Sequence, residues 1–257
     1  MMRQNLTRTW ELIWTLAKTD WKVRYSGSRL GYLWAVLKPL LIFATLYTVF
    51  SIPFGRGVPM YAAELLIGIL FWNYFAEGTS TGMQSLFAKG HILTKVPVSL
   101  WTIAAASTLQ VTLTFLLNLL VIIPFVAAQP IILRLSGLLL FLGSCVLTAM
   151  LILAISLFLA PLFVRYRDLK QLWEVLLTLG FFVTPIIYPP NMTPERLRHV
   201  LSFNPMALLI QSARSGILQP SDMSLLPLLT AAGMIGMIFA ASIYIFQRTA
   251  PTVSEYL

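Results

Sequence analysis

The stretch LSGLLLFLGSCVLTAMLILAISLFLAPLF, Leu135–Phe163, contains no charged side chain. A helix rises 1.5 Å per residue, so about 20 apolar residues cross the hydrocarbon core of a bilayer. This run is longer than that, which predicts a spanning helix that tilts or breaks near Pro161. The rest of the chain has the same character. Of its 257 residues 58% are hydrophobic and 11% charged, and the mean hydropathy is +0.82. An average soluble domain carries roughly 25% charged residues. The polar side chains here are too few to coat a soluble globule, and a polytopic membrane protein is the class that remains.

Five further stretches are apolar enough to span: Leu33–Ile52, Ala62–Met83, Ser99–Ala127, Leu172–Tyr188 and Leu225–Phe246. Ser99–Ala127 is also overlong and is expected to tilt or break near Pro124. Leu172–Tyr188 is short and holds Pro185. The expected fold is all-α, one polytopic membrane domain over residues 1–257 with six transmembrane helices. Orientation follows from lysine and arginine in the short loops. With the N-terminus inside, Arg56, Arg134, Arg196, Arg198 and Arg214 fall outside, and the other thirteen of the 18 basic residues fall inside. Both termini are then cytoplasmic. The formal charge of +9 reads as topology and contact with anionic lipid, and nucleic acid is not an expected partner. The first 30 residues hold charges throughout, so no cleavable signal peptide is expected. The single cysteine, Cys145, cannot close a disulfide within the chain.

Three segments lie beside the spans. In residues 5–24, Leu6, Trp10, Ile13, Trp14, Ala17 and Trp21 share one helical face, and Arg8, Glu11, Lys18 and Lys22 lie on the rest. That pattern fits an amphipathic helix in the membrane interface, either a simple anchor or a docking element. The loop 84–97, QSLFAKGHILTKVP, is short and apolar. Its Leu86, Phe87, Ile92 and Leu93 suit a partner's groove or the lipid headgroups. The region 189–224 holds two helix starts, Thr193-Pro194-Glu195 and Asn204-Pro205. The second leads into Ala207–Ile217, too apolar for an exposed loop. The pair is expected to dip into the outer leaflet or pack on the bundle, or else to lie among headgroups.

Nucleotide-loop and zinc-hydrolase signatures are missing from the sequence, which has no G-x-x-x-x-G-K-[ST] and no H-E-x-x-H. His91 and His199 sit in different loops on opposite sides of the membrane and cannot form one site. Glu64 and Glu77 lie near opposite ends of the second span and can reach an interface, so no central ion relay is visible. Between them runs Phe71-Trp72-Asn73-Tyr74-Phe75. Four aromatics around an amide cover every side of a helix, which suits helix packing or a surface along which sugar rings slide.

Four segments in order, Trp10–Leu40, Ser85–Trp101, Val164–Pro189 and Asn204–Leu218, resemble the polysaccharide-export permeases of ABC transporters. These are ABC-2 type membrane subunits that export O-antigen, capsule or teichoic acid chains. The resemblance implies a homodimer that works with two copies of a separate ATPase subunit, where ATP and Mg bind. It implies no cofactor and no catalytic or metal residue on this chain. The substrate implied is an undecaprenyl-linked polysaccharide, O-antigen above all, moved out of the cytoplasm across the inner membrane. The interface helix maps to 5–24 and the coupling loop to 84–97, with Leu86, Phe87, Lys89, Gly90, His91, Ile92 and Leu93 meeting the ATPase. Periplasmic gate helices map to Pro194–Phe203 and Met206–Leu218 in the region 189–224, with Arg196, Asn204, Pro205, Gln211 and Arg214. Arg24, Arg29 and Lys38 are the implied diphosphate contacts. Phe71, Trp72, Asn73, Tyr74, Phe75 and Tyr188 are the implied path. Three rivals remain: an ABC-2 drug or lipid exporter, an ion-coupled transporter and a membrane glycan enzyme.

Overall fold

The computed structural model describes residues 2–27, 29–55, 58, 60–90, 99–127, 133–189, 199–219 and 223–253. Their regular structure is helical, with no strand among them. The principal helices are α1 (Met2–Tyr25), α2 (Leu33–Gly55), α3 (Tyr61–Ala88), α4 (Leu100–Leu119), α5 (Ile122–Ala127), α6 (Leu135–Arg165), α7 (Leu169–Val183), α8 (Pro205–Leu218) and α9 (Leu226–Val253). Among the described residues, four stretches are long and apolar enough to cross a membrane: Leu33–Gly55, Leu100–Ala127, Leu135–Arg165 and Leu226–Ala250. That is fewer than the six expected. α3 has the length, but Glu64, Asn73 and Glu77 make it too polar. α7 has 15 residues, short of the roughly 20 a bilayer needs.

The position of α3 accounts for its composition. It packs against α2, α4, α5, α6, α7 and α8, and 18 of its 28 residues are buried. A helix surrounded by protein need not be apolar all round, because its neighbours take the place of lipid. α6 is its main partner and also carries α8 and α9. α1 packs on α4 through Ile13 and Ala17, both buried, and the Tyr25 hydroxyl lies 3.3 Å from Thr114 Oγ1.

Proline acts differently in the two overlong stretches. α4 closes in a tight turn in which Leu120 N–H donates to the Leu117 carbonyl (3.2 Å) and Val121 N–H to that of Asn118 (3.1 Å). α5 then restarts with Pro124 in its first turn, where a missing N–H costs nothing. The break near Pro124 therefore occurs as expected. At Pro161 no break occurs, and α6 runs through to Arg165. Pro161 lies in the penultimate turn, so its ring removes one bond where little helix remains to be lost, and it is buried within the bundle. The fifth stretch also ends early. Pro185 forces Thr184 into extended backbone (φ −72°, ψ 136°) and closes α7 at Val183, so residues 184–188 are not helical.

Hydroxyls inside the bundle bond to their own helices: Ser144 to the Leu140 carbonyl (2.9 Å), Thr148 to that of Ser144 (2.7 Å) and Ser156 to that of Ile152 (2.7 Å). Close approach depends on small residues. A Cβ at Gly78 would sit 2.7 Å from Ile152 Cγ2, and one at Gly82 would strike the Ser156 side chain. At Gly137 a Cβ would strike the Gly216 carbonyl oxygen, where backbone meets backbone between α6 and α8. Gly137→Val is therefore expected to cost about 1–3 kcal/mol and to lower the melting temperature of detergent-purified protein. Gly233→Ala, with nothing within 4 Å, should leave it unchanged or raise it slightly. Equal melting of both variants would contradict the packing.

Candidate functional site

A cavity of about 590 Å³ opens between α1, α2, α3 and α4. Arg24 and Tyr25 line it from α1, and Trp34, Lys38 and Pro39 from α2. Asn73, Tyr74, Glu77 and Ser80 line it from α3, and Thr114, Phe115 and Asn118 from α4. The structure thus brings two of the three expected diphosphate contacts together with two residues of the expected path. Arg24 pairs with the Glu77 carboxylate and also stands 5.8 Å from the Tyr25 ring. The pair ties α1 to the central helix and holds a cation at the cavity wall. Arg29 is exposed and does not line the cavity. Glu77 and Asn118 were not among the expected contacts. An amide near the end of the apolar run of α4, one of two with Gln110, was the available signal for Asn118.

The aromatic run on α3 is built into the bundle. Phe71 is completely buried and meets Phe115 and Phe141 edge-on, with centroids 5.4 and 5.7 Å away. Tyr74 stacks on Phe115 at 4.2 Å, and its hydroxyl lies 2.7 Å from Thr112 Oγ1. Trp72 packs on Phe75 and on Phe181 of α7. Within one chain, Phe71, Trp72 and Phe75 therefore serve the contacts between helices, and Asn73 and Tyr74 reach the cavity.

The far end of α3 forms an elbow. The helix continues through Ala88, so the first part of the expected coupling loop is helical. Leu86 faces inward, fully buried against Ile103, Leu157 and Phe246, so it is not a surface contact. Phe87 is 44% exposed, and the Arg167 guanidinium lies 3.4 Å from its ring centre. Lys89 pairs with Asp20 of α1, and Gly90 is half-buried. His91, Ile92 and Leu93 lie outside the described residues, as does Arg196 of the expected gate.

At the opposite end of α3, α8 is latched to the non-helical stretch after α7. Asn204 caps α8, its Oδ1 accepting from the N–H groups of Met206 (3.0 Å) and Ala207 (3.3 Å), with Pro205 in the first turn. Its Nδ2 donates to Thr184 Oγ1 at 3.0 Å. Arg214 is buried and donates to three backbone carbonyls: Pro185 (2.8 Å), Ile186 (2.9 Å) and Glu64 (2.9 Å). The carbonyls after Pro185 have left the helix and need donors, and the guanidinium fork supplies them. Gln211 is exposed, and the Tyr188 hydroxyl donates to the Val183 carbonyl at 2.5 Å. A single ammonium cannot serve three fixed carbonyls. Arg214→Lys is expected to lower the melting temperature by about 4–8 °C, whereas Gln211→Ala should move it by less than about 1 °C. A change at Gln211 as large as that at Arg214 would contradict the latch.

Comparison with known proteins places this architecture. The family model described as ABC-2 type transporter matches residues 11–218. Over 217 residues, 83% of this chain and 82% of the relative, the chain is 30% identical to the O-antigen export system permease protein RfbA of Klebsiella pneumoniae. It is 28% identical over 255 residues, 95% of this chain and 94% of the relative, to the protein of the same name from Myxococcus xanthus. It is 22% identical over 205 residues, 77% of each chain, to the polysialic acid transport protein KpsM of Escherichia coli. The chain belongs to the ABC-2 type transporter family.

Proposed function

We propose that the chain is the membrane-spanning permease subunit of an ATP-driven exporter that moves a lipid-linked polysaccharide of the O-antigen class from the cytoplasm across the bacterial inner membrane. The observation that carries this reading is the cavity between α1 and α4. It sets Lys38 and the Arg24–Glu77 pair against an amide and aromatic stretch of the buried central helix, in a chain whose relatives are named for O-antigen and polysialic acid. The six-span topology is part of the same reading. α3 is the second span, its polar groups covered by protein, and α7 with residues 184–188 is the fifth. Both termini then lie in the cytoplasm with most of the basic residues, and α1 lies at the inner interface, where exposed Trp10 and Trp14 suit headgroups.

The chain holds no nucleotide loop, so the energy comes from elsewhere. We place it on two copies of an ABC ATPase, which bind ATP and Mg, docked beneath a homodimer of this chain. The elbow 84–97 receives their motion. Phe87 rests on Arg167 of the α6–α7 turn, and Lys89 is paired with α1, so a push there reaches α1, α3 and α7 together. The undecaprenyl diphosphate waits at Arg24 and Lys38, with Arg29 as an outer contact. The glycan passes between the two subunits, and the region 189–224, whose α8 is tied to residues 184–186 and Glu64 by Asn204 and Arg214, closes the outer mouth. An ion-coupled transporter is less well supported, because Glu77 is occupied by Arg24.

The docking claim has a direct check. The double variant Phe87→Asp with Ile92→Asp is expected to leave ATP hydrolysis by the copurified complex running while export falls at least about tenfold, since charge in an apolar groove is costly. Size-exclusion chromatography controls for folding. Normal export by that variant would overturn the docking role of 84–97.

A further inference from the structure

Phe87 and Arg167 form one exposed surface from two elements. Phe87 lies in the last turn of α3 and is 44% exposed. Arg167 stands in the turn between α6 and α7 and is exposed as well. Its guanidinium carbon lies 3.4 Å from the centre of the Phe87 ring. An edge-on approach at that distance would drive a nitrogen into the ring, so the two groups meet face to face. Phe163 of α6 is buried and meets the Phe87 ring edge-on, with centroids 6.2 Å apart, so the stack is fixed to the bundle. A stacked guanidinium is held through its flat face, which leaves its N–H donors pointing outward in their own plane. Among the described residues no carboxylate lies within 4.0 Å of Arg167, the paired cations being Arg24, Lys89 and Lys170. Lys89 is turned to Asp20 and Lys170 to Glu174. Anionic headgroups attract clusters of several free cations. This surface instead presents one oriented guanidinium beside an apolar ring. The matching partner has an apolar pocket with a carboxylate at its rim, because the guanidinium fork fits a carboxylate through two parallel hydrogen bonds.

We propose that Phe87 and Arg167 dock as a unit: Phe87 enters an apolar pocket of the ATPase subunit, and Arg167 pairs with an aspartate or glutamate at the rim of that pocket. The proposal rests on the docking reading above and names the chemistry of the partner's side. The ATPase then grips α3 through the ring and the α6–α7 turn through the guanidinium, so both elements take up its motion. The pair also selects the ATPase, since a partner with a basic rim would meet Arg167 as a like charge.

The test uses the detergent-purified complex of the full chain with its ATPase, the partner being identified by the peptide that carries its nucleotide loop. A carbodiimide joins an amine to a carboxylate without a spacer, and Arg167→Lys supplies an amine at this position. Mass spectrometry is expected to find residue 167 of that variant joined to an aspartate or glutamate of the ATPase, with wild type as the control that has no amine there. Arg167→Glu is expected to lower the amount of ATPase retained about tenfold or more, because like charges then face each other across the interface. Replacing the joined acid by arginine in the ATPase should restore the complex with Arg167→Glu, a rescue that a merely structural role would not give. Loss of ATPase without that rescue would overturn the proposal. So would coupling of residue 167 only to acids of this chain, such as Asp168. Full retention of ATPase by Arg167→Glu would overturn it as well and assign the guanidinium to headgroups, with docking at 84–97 left standing. A wild type that retains no ATPase would overturn the docking reading and this proposal together.

Discussion

Helix α3 cannot face lipid, and the rest of the bundle is arranged around that constraint. It carries Glu64, Asn73 and Glu77 in one continuous helix, and unpaired charge deep in a bilayer is costly. Most of its neighbours answer with a specific contact. α1 brings Arg24 to Glu77. α4 brings Thr112 to the Tyr74 hydroxyl and Phe115 to the Tyr74 ring. α7 brings the Trp173 indole N–H to Thr79 Oγ1 at 3.1 Å. α8 brings Arg214 to the Glu64 carbonyl, and Gln219 follows it with Nε2 3.4 Å from the Glu64 carboxylate. α6 approaches most closely, because Gly78 and Gly82 leave room for Ile152 and Ser156.

This arrangement bears on how motion travels. Cores packed at crystal-like density shift between discrete arrangements instead of deforming smoothly. A displacement at Phe87 is therefore carried along α3 as a rigid element. Ten residues, about 15 Å of helix, separate Phe87 from Glu77 at the cavity. Another thirteen, about 20 Å, lead to Glu64 and the Arg214 latch. In the proposed cycle the central helix connects the ATPase side, the loading cavity and the outer mouth. The Arg214 latch holds residues 184–188 through backbone carbonyls, so the non-helical stretch moves with α8 and α3 rather than alone.

Membrane class and an all-helical fold could be read from the shortage of charge and from the length of the apolar runs. The amphipathic α1 and the start of α8 were also visible, because Trp10, Ile13 and Ala17 repeat at helical spacing and Asn204-Pro205 is a capping pair. Local chemistry fixes those features. The status of α3 and α7 as spans was not decided by the same rules, since hydropathy cannot separate a lipid-facing polar helix from one covered by protein. The partners of Arg214 were hidden for a different reason. They are backbone carbonyls 28, 29 and 150 residues away, and no side-chain pattern records them. The inward turn of Leu86 does not follow from a loop that begins at Gln84, because α3 stays helical through Ala88. Asn118 was legible as an amide in an apolar run, but only the fold places it on the same cavity as Lys38.

In the proposed function this chain is a conduit whose energy comes from a separate ATPase. The most direct measurement uses inverted inner-membrane vesicles containing the chain and its ATPase partner, loaded on the outer face with lipid-linked O-antigen. Glycan is expected to become protected inside the lumen only when ATP is hydrolysed, and a protonophore is expected to have no effect. Protection that continues after ATP is removed and collapses with the protonophore would contradict it.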